Sequence, residues 1–151
     1  MTQIHRLDGT LIFEATGSLK SVVQRAVAAG ISLYEANLKG ANLKGANLRG
    51  VDFTRANLEG ADLTGANLDG GSLHGANLQE AKLRGACLQG TNFRGANLYM
   101  ANLKGANLCM ANLTDARCVQ ANLDGANLTG ATLTGVDMTT VKLKRPPACA
   151  Y

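Results

Sequence analysis

From residue 31 to residue 145 a large apolar side chain returns every fifth position without an insertion. Leu33, Leu38, Leu43, Leu48 and Phe53 begin the series, Leu143 ends it, and only Cys118 and Met138 depart from Leu or Phe. Two places before each stands usually Ala, and one place before it Asn or Asp. A period of five fits neither the 3.6 of a helix nor the alternation of a simple strand, so the chain must turn a corner before each new leucine. A unit this short cannot bury its own leucine, and it has to stack on copies of itself. Gly closes 14 of the repeats, among them Gly40, Gly45, Gly50 and Gly60. That is the residue a type II turn requires at its third position, where φ is positive.

Residues 1–30 follow another pattern. Gln3 to Leu7 and Thr10 to Glu14 flank Asp8 and Gly9, a dipeptide that favours a tight hairpin turn. Ser18 then precedes Leu19, Val22, Val23, Ala26 and Val27 at helical spacing, with Gly30 just past the end. This amphipathic helix is expected to lie across the first coil of the stack and keep its leucines from water. At the other end Pro146 and Pro147 cannot extend a coil. The organisation expected is a hairpin and capping helix over 1–30, a repeat body over 31–145 and a tail over 146–151.

Composition sharpens this picture. With three Phe, three Tyr and no Trp in 151 residues, the core has to be a regular column of leucines instead of an aromatic-rich globule. The net charge of +4 is spread along the chain, with neither a polybasic arm nor an acidic tail. The first residues carry Arg6, Asp8 and Glu14 and no long apolar run, which argues against a signal peptide or a membrane span and makes the cytoplasm the expected location. Cys87, Cys109, Cys118 and Cys149 follow no disulfide or zinc spacing, and His5 and His74 have no partners in sequence, so no cofactor or metal is expected and an enzyme is disfavoured.

The stretch EANLKGANLKGANLRG, residues 35–50, resembles the pentapeptide-repeat proteins, and the likeness extends over residues 31–145. It implies an all-β solenoid: a right-handed quadrilateral parallel β-helix in which four pentapeptides make one square coil. The Leu and the small residue then point inward. On that basis the 23 repeats make a little under six coils, and a strand spacing of about 4.8 Å gives a rod roughly 28 Å long. The resemblance also implies a bacterial or phage-type protein.

Residues 20 apart then lie one above another, and departures from the repeat acquire addresses. Leu33, Phe53, Leu73, Phe93, Leu113 and Leu133 form one inner column, with Gly71 among the small residues beside it, between the two Phe coils. At the second corner Gly40 and Gly60 give way to Glu80, Met100, Gln120 and Thr140, which are expected to use another turn class with negative φ. Beside them Tyr99 and Val119 should join Met100 in an exposed apolar spot, so Tyr99, Met100, Val119 and Gln120 are the candidate protein contact. The third face collects Lys44, Lys82, Arg84, Lys104, Lys142 and Lys144, interrupted by Asp62 and Asp124. Such a stripe could meet phosphates or an acidic protein. Without aromatic stacking partners it reads first as a solvated face, with nucleic acid the lesser reading.

The expected function is a non-catalytic protein-interaction scaffold whose partner the sequence does not name. An alternative follows from the resemblance: quinolone-resistance members look like B-DNA and occupy the DNA-binding saddle of gyrase or topoisomerase IV. Residues 31–145 hold 12 basic and 9 acidic residues, which lacks the acidic surface that role requires. Finally, Val136, Met138, Val141 and Leu143 broaden the apolar C-terminal end, where unpaired strand edges offer a template for another chain. A twofold homodimer through these coils is expected, as similar end-to-end dimers occur in the family, with a monomer whose tail folds over the last coil as the rival.

Overall fold

The computed structural model describes residues 1–144; the expected tail over 146–151, with Cys149, lies outside the described residues, as does Arg145. The body is a stack of coils, each with four sides. Residues 20 apart pair in parallel from Asn37 with Asn57 through Asn122 with Lys142, always at the Asn or Asp position. From Leu33 to Leu123 each repeat leucine N–H reaches the carbonyl of the residue 19 further on, as in Leu43 to Asp62 at 2.8 Å and Leu63 to Lys82 at 2.7 Å. Each corner closes with a bond from the Ala N–H to the preceding Leu carbonyl, such as Ala46 to Leu43 at 3.0 Å. Two residues of straight side between corners are enough to engage the next coil, and the leucines and alanines fill the interior completely from Leu33 to Ala126.

The Asn and Asp positions acquire a physical reason. Their Oδ1 accepts the backbone N–H two residues later, for example Thr64 N on Asp62 at 3.0 Å and Lys104 N on Asn102 at 3.1 Å. This Asx turn leads the chain into each corner and satisfies a donor that the parallel ladder leaves over. In the Asp62 case the hydroxyl and N–H of Thr64, helped by Lys82 and Lys44, hold the carboxyl below its ordinary range.

The corners correct one expectation. Gly40, Gly45, Gly50 and Gly60 have φ of 63 to 69°, as a type II turn requires. Glu80, Met100 and Gln120 also sit at positive φ, 57, 55 and 58°, although negative values were expected there. The corner geometry is set by bonds to the next coil, such as Met100 N to Val119 O at 3.0 Å, which leave an unbranched side chain no cheaper alternative than the left-handed region, at about 1–2 kcal/mol. Glu35, Arg55, Met110 and Asp115 make the same compromise at other corners. Thr140 does not: it stays out of the left-handed region, which β-branching penalises further. On that side the last coil is not paired with Arg117, and the Gln120 N–H takes the Thr140 hydroxyl at 3.1 Å instead.

At the N-terminus β1 (Thr2–His5) and β2 (Leu11–Ala15) pair antiparallel. Of the five residues between them Arg6 and Thr10 are joined by Arg6 N to Thr10 O at 2.8 Å, which leaves a three-residue loop, one longer than the tightest hairpin, with Gly9 at φ 88° and Gly9 N on Arg6 O at 3.0 Å. Helix α1 (Leu19–Ala28) starts on Ser18, whose side chain accepts from Ser21 N. It ends with Gly30 N on Val27 O and Ile31 N on Ala26 O, the paired bonds of a Schellman motif. Val22, Val23 and Ala26 are fully buried. The first coil is tied to this segment on several sides: Leu7 N to Glu35 O at 2.9 Å, Asn37 N to His5 O at 2.8 Å, Lys20 Nζ to Lys44 O at 2.6 Å, and Asn47 N to Gln24 Oε1 at 2.8 Å.

Gly71 is confined, but by different neighbours than the two Phe side chains. A Cβ there would meet Leu68 O at 3.0 Å, Val51 O at 3.1 Å and Val51 Cγ1 at 3.2 Å. One coil further on, Thr91 is buried and donates its hydroxyl to the same Leu68 carbonyl at 2.9 Å.

Candidate functional site

The second face carries the candidate contact. Asn37, Asn57, Asn77 and Asn97 form its Asx ladder, and the Asn97 amide donates to Asn77 Oδ1 at 3.1 Å. Arg117 takes the next rung, and its guanidinium lies 5.1 Å from the centre of the Tyr99 ring. That distance is within cation–π range. Sequence reasoning missed Arg117; its signal was a cation standing in a column otherwise made of Asn and Asp. Tyr99 and Val119 are half-buried, Gln120 is exposed, and Met100 is 47% exposed. The structure therefore brings the predicted residues side by side, with one face of the Tyr99 ring covered by the Arg117 guanidinium.

The six basic residues of the third face are not one stripe. Lys82 and Arg84 share a coil, Lys104 stands one coil above Arg84, and all three are exposed. Asp62 lies directly below Lys82, and Asp124 directly above Lys104. Lys44 is thereby set apart at the first coil, and Lys142 and Lys144 at the last. The ion pairs among the described residues are Lys39 with Glu59 at 3.1 Å and Glu35 with Arg55 at 3.6 Å, neither of them on this face.

At the C-terminal end Val136, Met138 and Val141 are only partly buried against the core, and Leu143 is 42% exposed. The corresponding leucines of the first coil are sealed. Cys118 occupies a leucine position, where burial pushes its thiol up to about 11 and keeps it protonated and unreactive. Cys87 is exposed, Cys109 half-buried, and both are free thiols.

Pentapeptide repeats are matched in eight copies over residues 31–70, 72–108 and 110–145. The chain belongs to the pentapeptide-repeat family. Solved pentapeptide-repeat proteins share its fold. The protein Rfr23 of the cyanobacterium Cyanothece 51142 is 38% identical with a TM-score of 0.62, over 64% of this chain and 66% of that one. This chain thus spans just under two thirds of the Cyanothece protein. A family member from the thylakoid lumen of Arabidopsis thaliana is 33% identical with a TM-score of 0.51, over 72% of this chain and 68% of that one. Another, from Nostoc PCC 7120, is 29% identical with a TM-score of 0.55, over 87% of this chain and all of that one. No curated protein matches. No helix of this pentapeptide-repeat protein among the described residues is long and apolar enough to cross a membrane.

Proposed function

We propose that this pentapeptide-repeat protein is a non-catalytic interaction scaffold: a right-handed square rod, capped by its hairpin and helix, working in the cytoplasm and presenting its second face to a protein partner. The observation that carries this reading is Met100, an apolar side chain held out from a left-handed corner beside Tyr99 and Val119. Exposed apolar clusters tend to mark contact sites, and Met100 differs from Met110, also exposed at a left-handed corner, in having Tyr99 and Val119 beside it. The near balance of basic and acidic residues along 31–145 speaks against mimicry of DNA at a topoisomerase.

Met100→Gly tests this with opposite effects on two readouts. It removes the thioether and relieves the corner, so stability should hold or rise, by up to about 1 kcal/mol after the entropy of the new glycine is counted. Capture of the partner from the native host by immobilised rod should meanwhile be lost. Recovery of the same proteins by wild type and variant would refute the second face as the contact.

The half-buried Val136, Met138 and Val141, with Leu143 beside them, support a further element of this reading, a twofold homodimer through the C-terminal coils. Light scattering at micromolar concentration should give twice the chain mass for wild type and the chain mass for Val141→Lys. A wild-type monomer rejects the dimer.

A further inference from the structure

The Asx turn leaves a distinctive mark where its acceptor is missing. Lys82, Cys87, Arg117, Thr132 and Lys142 stand where the repeat has Asn or Asp. Two of the N–H groups left over are taken by the coil below: Gln89 N by Asp69 Oδ1 and Lys144 N by Asp124 Oδ1, both at 2.8 Å. Those of Arg84, Val119 and Thr134 have no acceptor among the described residues. Of the three, Val119 lies beside an Arg117 already engaged with Tyr99, and Thr134 has neutral neighbours in its own repeat. Arg84 alone has two lysines beside it, Lys82 on its own coil and Lys104 on the next, neither in an ion pair among the described residues.

We propose that the Arg84 N–H, with Lys82, Arg84 and Lys104, forms a docking point on the third face for a carboxylate of an acidic protein segment, which supplies the oxygen the repeat lacks there. On the same column, one coil below and one above, Asp62 and Asn102 place an Oδ1 at 3.0 and 3.1 Å from the equivalent N–H. An incoming Asp or Glu reproduces that bond at the middle coil. The Arg84 N–H faces outward for the same reason that those Asx side chains do. Around it Lys82 lies two residues along the side, about 6.6 Å, and Lys104 one coil up, about 4.8 Å. Asp62 on the coil below feels the charge of Lys82, but among the described residues none of the three cations is within ion-pair distance of a carboxylate. A charge-assisted bond of this kind is roughly twice as strong as a neutral one.

The same geometry selects the class of partner. Asp62 and Asp124 bracket the three cations along the rod, so a continuous row of phosphates would run into a carboxylate at each end, whereas a short acidic segment crossing the face would not. The face also carries no aromatic ring on which a base could stack. This proposal rests on the scaffold reading and adds the chemistry of a second contact.

The test is a titration of the full-length protein with a hexaglutamate peptide, followed through its backbone amide resonances at low salt, with hexaglutamine as control. The Arg84 amide should shift saturably with hexaglutamate and not with hexaglutamine, and the response should fade as salt is added. Lys82→Asn restores the repeat and its Asx oxygen; it should leave the rest of the spectrum in place and weaken the response at least about tenfold, given the loss of both donor and charge. An Arg84 amide that ignores hexaglutamate, or responds equally in Lys82→Asn, overturns the proposal. So does saturation by inorganic phosphate with no added gain from the peptide, which would leave a small-anion site only. Tighter binding of oligothymidylate with shifts from Lys44 through Lys144 would overturn it in favour of nucleic acid. None of these outcomes touches Met100, so the second-face reading stands or falls separately.

Discussion

Removal of residues 1–30 is expected to lower the melting point by on the order of 10 °C or more and to make the rod aggregate. Val22 and Val23 are fully buried, and burying two valines is worth about 3–6 kcal/mol, which at about 2–4 °C per kcal/mol for a chain of this size gives that shift. The same deletion opens the first coil, whose Leu33, Leu38, Leu43 and Leu48 are now sealed. It also frees the backbone groups of Glu35, Asn37, Lys44 and Asn47 that the cap now engages. The half-buried Val136, Met138 and Val141 at the other end show how a coil looks without such a cover among the described residues. Scanning calorimetry with light scattering checks the prediction. Val23→Asp in the full-length chain should act in the same direction, and a soluble truncated rod with an unchanged melting point would show the cap to be dispensable.

Phe93→Ala should cost about 3–5 kcal/mol, because the stacked coils have no loose side chain with which to fill the space. Phe93 is fully buried, with Leu73 and Leu113 in register on the coils before and after it. Stability in a stack is a sum of nearest-neighbour terms, so the damage should be local. Hydrogen exchange should accelerate over residues 71–130 while amides of the first coil keep their protection. Uniform loss of protection along the rod would mean that the coils melt as one unit and would refute this expectation. Gly71 limits any compensation: a Cβ there would meet the carbonyl oxygens of Leu68 and Val51 at 3.0 and 3.1 Å, and these are held by the corner bond from Gly71 N and the ladder bond from Ser72 N.

Much of the architecture was legible in the sequence because the repeat has one dominant physical requirement. A leucine every fifth residue can be buried only by turning and stacking, and Ser18, the apolar face through Val27 and Gly30 announce a helix by its cap, period and terminus. The candidate patches were legible only as addresses. That Tyr99, Met100 and Val119 share a face follows from a 20-residue period, but which way Arg117 turns does not, since an exposed side chain chooses among partners that exist only once the coils are stacked. The corners at Glu80, Met100 and Gln120 make the same point. Local propensity favours negative φ for these residues, and the ladder overrides it, since leaving the left-handed region would break bonds such as Met100 N to Val119 O at 3.0 Å and Glu80 N to Tyr99 O at 2.9 Å. At Thr140 the coil above is lacking among the described residues, and there the local preference prevails. The sequence alone determined the period, and with it the fold and the inside and outside of every repeat. Only the tertiary structure decided which backbone donors go unanswered, because an acceptor can be lent by the coil below, as Asp69 does for Gln89, or not at all, as at Arg84.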